Sequence, residues 1–197
     1  MSITTTESMR SLLILIFVGL VGGAPAALAA PFGKPISSQG ELDFTLQGPD
    51  ERTRRLADFR GKVVAIVFGY THCPDYCPTT LARLAGVTRQ LGKPADFVPI
   101  FVTLDPERDT PSVLGAYANA FHPDMVGLRG GPTQTAEAAR HFRVLFEKVQ
   151  EPDGSYSVDH SGGIFLIDRQ GRLRLKEPDN LSTKEMAQDI KSLLQEK

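Results

Sequence analysis

The sequence predicts an α/β fold with a central, mostly parallel sheet flanked by helices. Three observations carry that prediction. Val63-Val-Ala-Ile-Val-Phe68 is an unbroken, β-branched apolar run, the pattern of a strand buried on both faces, and residues 97–104 and Ile164–Ile167 repeat it. Segments with helical spacing of apolar residues lie between these runs, and alternation of strands and helices is the signature of a layered α/β domain. The composition is that of an ordinary globular chain: 197 residues, 41% hydrophobic and 23% charged.

The elements follow in order. Leu42-Asp-Phe-Thr-Leu46 alternates as a half-buried strand does, and Gly48-Pro49-Asp50 is a turn. After the strand at 63–68, Pro78 suits the first position of a helix whose inner face is Leu81, Leu84, Ala85, Thr88 and Leu91. Pro99 sits near the start of the next strand, where a missing donor is tolerated. Thr110-Pro111 opens a helix towards Phe121, and a third runs from Thr133 to Phe142. Residues 147–159 form an inserted loop or hairpin with Pro152-Asp-Gly154 at its tip. Leu173–Leu175 pairs with Ile164–Ile167 across Asp168-Arg-Gln-Gly171. Ser182 and Glu185 form a capping box for a last helix that turns Met186, Ile190, Leu193 and Leu194 inward.

The N-terminus reads as an address. Residues 1–29 have a weakly charged start, an apolar middle and small residues at Ala27 and Ala29, as in a secretory signal. The uncharged stretch Ser11–Ala30 also approaches the ~20 residues that span a bilayer, so a retained membrane anchor is the alternative. Either delivers the rest of the chain outside the cytoplasm. Residues 30–41 are polar with Gly and Pro and read as a tether, and 42–197 as the folded domain. With 22 Lys and Arg against 23 Asp and Glu and no basic run, the chain lacks the cationic footprint of a nucleic-acid binder.

Two cysteines cannot staple a disulfide scaffold. Cys73 and Cys77 instead sit directly after a buried strand and at the start of a helix, where sites form in open α/β sheets. On one helical turn their Cα atoms lie roughly 6 Å apart, inside the disulfide range of about 4.4–6.8 Å and equally suited to sharing a metal ion. Dithiol, disulfide and metal-bound states therefore all remain open. Of the four histidines, His72 neighbours Cys73 on the opposite side of an extended segment, while His122 and His141 read as solvated residues. His160 differs. It lies just before the buried strand 164–167, beside Gly162-Gly163, where backbone can approach closely.

The blocks Phe68-Gly-Tyr-Thr-His-Cys73-Pro-Asp-Tyr-Cys77-Pro-Thr-Thr-Leu81, Leu104-Asp-Pro-Glu-Arg-Asp-Thr-Pro111, Val158-Asp-His160-Ser and Phe165-Leu-Ile-Asp168 resemble the Sco/SenC family, in order and over about residues 40–195. That family consists of copper-binding, thioredoxin-like assembly factors for cytochrome c oxidase. The resemblance implies a thioredoxin-like fold and a copper site formed by Cys73, Cys77 and His160. Two thiolates and an imidazole are a soft set that suits Cu(I) and can also hold Cu(II). Asp159 and Asp105 are candidates to orient the histidine ring, with a turn-capping role before Pro106 as the alternative for Asp105.

The implied function is that of an exported copper metallochaperone for the dinuclear copper site of the oxidase. Its partner is the copper-site subunit, together with another periplasmic copper chaperone or a thioredoxin-like reductant. The implied location is the bacterial periplasm, either soluble or anchored to the inner membrane. Cys73 and Cys77 also support a thiol–disulfide oxidoreductase that reduces the copper-ligating cysteines of the oxidase, or a redox or copper sensor. Against simple thioredoxin-type activity, the spacing is C-x3-C and the position before strand 164–167 is Gly162, not proline. Against peroxiredoxin-type activity, no arginine lies between Tyr156 and Ile167.

Overall fold

The computed structural model describes residues 30–37, 42–92 and 95–196. The N-terminal segment read as signal or anchor, residues 1–29, lies outside the described residues, as does part of the expected tether. Among the described residues no helix is long and apolar enough to cross a membrane.

Ten strands and four α-helices follow one another along the described chain: β1 (Lys34–Pro35), β2 (Thr45–Gln47), β3 (Thr53–Arg55), β4 (Val63–Gly69), α1 (Tyr76–Gln90), β5 (Phe97–Thr103), α2 (Pro111–Phe121), β6 (Val126–Leu128), α3 (Pro132–His141), β7 (Phe146–Gln150), β8 (Tyr156–His160), β9 (Ile164–Ile167), β10 (Leu173–Glu177) and α4 (Thr183–Gln195). The main sheet has six strands in the order β1-β10-β9-β4-β5-β6. β4 and β5 pair in parallel along their whole length, Val63 with Phe97 through Gly69 with Thr103.

The sheet is mixed rather than mostly parallel. Parallel pairing is confined to β4–β5–β6, and β9, β10 and β1 all pair antiparallel to their neighbours. The reason is in the connections. A parallel neighbour needs a crossover, which α1 and α2 supply, whereas β9 and β10 are joined by the tight turn at Asp168–Gly171 and can only run antiparallel.

Both faces of the sheet are covered, which is why β4 and β5 carry no polar alternation. On one face Val64, Ile66 and Phe68 pack with Phe165, Ile167 and Phe142. On the other, Val63, Ala65 and Val67 meet Leu81 and Leu84 of α1 and Met186 and Ile190 of α4. The Ser182–Glu185 capping box that starts α4 is formed, as the sequence predicts. Pro78 is the third residue of α1 rather than its first, because Asp75 is the N-cap; its missing donor is still harmless in the first turn. The strand expected over Leu42–Leu46 is shorter and shifted to Thr45–Gln47, although Leu42, Phe44 and Leu46 keep the alternating burial. The insertion is a separate two-stranded hairpin of β7 and β8 with Gly154 at its tip in the left-handed region.

Part of the expected tether is docked. β1 pairs with β10, and the backbone N–H groups of Phe32 and Gly33 donate to the Asp189 carboxylate at 3.1 and 2.7 Å. Beside it Glu177 is fully buried, and neither of its carboxylate oxygens meets a donor. Burial, together with the neighbouring Asp189, pushes the Glu177 carboxyl up to about 8. The unfolded chain ionises this group near its ordinary value of 4.5, so the stabilising effect of a neutral Glu177 is complete below about pH 4.5 and is lost as pH rises towards 8. Glu177→Gln removes the ionisation. Thermal denaturation is therefore expected to show the variant level with the parent at pH 4 and more stable at pH 8; equal melting at both pH values contradicts this ionisation.

Candidate metal centre

The sequence Gly69-Tyr-Thr-His-Cys73-Pro-Asp-Tyr-Cys77 forms the rim at the carboxyl end of β4 and the first turn of α1. Asp75 makes no side-chain cap on α1. The orphan N–H of Cys77 instead donates to the Cys73 sulfur at 3.3 Å. Both cysteines are free thiols; Cys73 is half-buried and Cys77 fully buried. Burial raises the Cys77 thiol far above its ordinary range, with Cys73 adding to the rise. Gly69 makes room for that sulfur, since a Cβ there would lie 2.6 Å from the Cys77 Sγ.

His160 ends β8 and reaches the same point from the other side. Its Nε2 lies 3.5 Å from the Cys77 Sγ, across 83 residues of chain. Its Nδ1 faces the Ser161 carbonyl oxygen at 3.4 Å. An Nδ1–H turned to that oxygen leaves the Nε2 lone pair towards the sulfur. Burial lowers the His160 pKa, which favours the neutral, ligating form of the ring. Tyr70 and Tyr76 meet the imidazole edge to face, at 6.4 and 5.6 Å between centroids.

The two carboxylates expected to orient His160 do other things. Asp159 is exposed and sits opposite Glu147 in the hairpin, on the other face of the strand from His160; it influences the ring only through its charge. Asp105 is fully buried and is held by the Arg108 guanidinium and by the Tyr156 hydroxyl, which donates at 2.9 Å. Its role is the turn after β5, where its backbone N–H also donates to the Thr103 hydroxyl. His122, read as solvated, is buried at the end of α2, while His72 is exposed.

Asp109 is the carboxylate that supports the cysteine loop, and sequence reasoning misses it. It is buried and accepts the Thr71 N–H at 3.1 Å and the Thr71 and Thr103 hydroxyls at 2.5 Å each, tying the loop before Cys73 to the end of β5. Only the proximity of both threonines in space marks it, and that arises from the parallel register of β4 and β5.

The donor set suits a soft ion. With metal–sulfur and metal–nitrogen bonds of about 2.3 and 2.0 Å, two donors of one ion stand roughly 3.5–4 Å apart, and the Cys77–His160 pair already does. Among the described residues no group of three Cys, His, Asp or Glu side chains is yet closed into a cage. Cys73, in the loop before α1, is half-exposed, and its sulfur faces the Cys77 N–H at 3.3 Å.

The family model described as SCO1/SenC matches residues 35–195. The chain is 40% identical over 176 residues to the mitochondrial SCO2 homolog of Bos taurus, covering 81% of this chain and 66% of that protein, just under two thirds of its length. It is 37% identical to an SCO2-like protein of Rickettsia prowazekii, covering 91% of this chain and 95% of the relative. Among solved structures, Bradyrhizobium japonicum ScoI, described as having copper bound, superposes with a TM-score of 0.72 at 37% identity, over 82% of this chain and 99% of that one. These neighbours bear out the thioredoxin-like α/β fold. A family match that spans nearly the whole described domain, with relatives well above 30% identity, means that this chain belongs to the SCO1/SenC family.

Proposed function

We propose that the protein carries one copper ion on Cys73, Cys77 and His160 and hands it on during assembly of the dinuclear copper site of cytochrome c oxidase. The observation that carries this reading is the 3.5 Å approach of His160 Nε2 to the buried Cys77 sulfur. A soft imidazole–thiolate pair in a desolvated pocket holds Cu(I) well, and a second thiolate completes a set that also accepts Cu(II). Binding takes the proton that burial holds on Cys77, since a coordinating thiol is deprotonated. The copper-bound state described for the Bradyrhizobium relative supports the choice of metal. The signal-like pattern of residues 1–29 supports a carrier in the periplasm, free or tethered to the inner membrane, with the copper-site subunit as its recipient.

The half-exposed Cys73 above the buried Cys77 favours one second reading, that of a thiol reductant. Cys73 thiolate attacks a target disulfide, and Cys77 then displaces the target's thiol. Two electrons and two protons pass to the target, leaving a Cys73–Cys77 disulfide for a thioredoxin-like reductant to reopen.

His160 separates the two readings. Titration of the reduced protein with Cu(I) against a competing chelator is expected to show one equivalent bound. In His160→Ala the affinity is expected to fall by more than the roughly 10–100-fold that loss of a mere supporting partner costs. Thiol–disulfide exchange with a model disulfide peptide should be unaffected in the same variant. Wild-type copper affinity in His160→Ala would remove the histidine from the site.

A further inference from the structure

The helix that carries Cys77 begins with Tyr76, whose side chain crosses to the β8–β9 loop 87 residues away. There its hydroxyl accepts the Gly163 N–H at 2.9 Å. The same hydroxyl donates to the Asp179 carboxylate, between β10 and α4. The ring meets the His160 imidazole edge to face, with 5.6 Å between centroids and 68° between planes. Gly162 is a glycine because the tyrosine lies against it: a Cβ there would sit 1.9 Å from the phenolic oxygen. One side chain thus joins the residue before Cys77, the loop after His160 and the approach to α4.

We propose that Tyr76 is a positioning residue for His160: by clamping the Gly162-Gly163 loop it fixes where the imidazole stands relative to the Cys77 sulfur. The proposal rests on the reading of Cys77 and His160 as copper ligands. Two consecutive glycines so soon after a ligand would otherwise let it wander, since glycine is the residue with most backbone freedom to lose. A donor already ordered before binding costs less to order when the ion arrives, and holds it longer. Tyr70 also meets the ring edge to face, at 6.4 Å and 88°. Asp179, which orients the hydroxyl, is itself exposed, so its removal tests the clamp without opening the core.

The test uses the full chain loaded with Cu(I). Release to an excess of a high-affinity Cu(I) chelator is followed by stopped flow for the parent, Tyr76→Phe, Asp179→Ala and His160→Ala. Tyr76→Phe is expected to release copper roughly tenfold faster, the low end of what loss of a ligand-supporting contact costs, and Asp179→Ala to change in the same direction. Both should bind one equivalent and lose deuterium-exchange protection at the Gly163 amide; loaded separately with Cu(II), both should give a broadened electron paramagnetic resonance spectrum from a spread of ring orientations. Parent-like release and spectrum in Tyr76→Phe, with faster release in His160→Ala, would overturn the positioning role and leave the ligand assignment standing. The positioning role falls in that case even if Tyr76→Phe melts earlier, because the tyrosine would then be structural only. Parent-like release in His160→Ala would overturn the ligand assignment itself.

Discussion

Cys77→Ser is expected to abolish Cu(I) retention while leaving a folded domain. The serine hydroxyl is a hard donor and does not give up its proton near neutral pH, so it cannot replace the thiolate that a soft ion requires. The pocket sharpens the effect. Cys77 is 0% accessible, so water cannot stand in for the lost sulfur, and even a Cβ at Gly69 would come within 2.6 Å of it. The remaining pair, Cys73 and His160, would have to hold the ion without the sulfur that His160 Nε2 faces at 3.5 Å. The fold should tolerate the change, since a buried hydroxyl costs only about 1–3 kcal/mol when unpaired and His160 Nε2 stands ready to accept from it. Chelator competition on the purified variant, beside the Cys73→Ser/Cys77→Ser double variant, checks this. Binding above the level of the double variant would show that Cys77 is dispensable.

Phe165→Ala is expected to cost about 3–5 kcal/mol of stability, the range for emptying a phenylalanine site in a core. Phe165 lies on β9 at 1% exposure and packs edge-on against Phe68 at 6.0 Å and Phe142 at 5.4 Å. These three rings join β4, β9 and the end of α3, so the cavity would open beneath both the strand leading to the cysteines and the strand following His160. Domains of this size are stable by only about 5–15 kcal/mol, so the variant should sit close to unfolding at body temperature. Urea denaturation measures it directly. A loss below about 1 kcal/mol would mean that the neighbouring rings close the gap.

The parts of the fold legible in the sequence are those written in local periodicity. Val63–Phe68, Ile164–Ile167 and residues 97–104 announce themselves because strands buried on both faces have no polar alternation, and Ser182 with Glu185 announces α4 because capping is a matter of three residues. Pairing direction is not local. Nothing in Ile164–Ile167 says that it lies antiparallel to β4, and β6 and β1 are too short to show a period at all.

The site divides in the same way. Cys73, Cys77 and His160 stand out by residue type, and the structure brings Cys77 and His160 together. Asp159 could have been set aside from sequence, because in a strand it must face away from its neighbour His160. Asp109 and Tyr76 could not have been found, because each acts through partners tens of residues distant, Thr71 for the one and Gly163 for the other.

The hairpin of β7 and β8 is hydrogen-bonded as a sheet of its own, outside the six-stranded sheet, and His160 is its last residue. It is fastened to the body by the buried Val158, by the Tyr156–Asp105 bond and by the Arg108 guanidinium stacked 3.7 Å over the Tyr156 ring. Under the proposed ligand set, the cargo is therefore gripped between a jaw made of the β4–α1 loop and the first turn of α1, which carry the two sulfurs, and a hairpin that forms a separate small sheet. Displacing His160 would then remove one of the three proposed donors without breaking a backbone hydrogen bond of the six-stranded sheet.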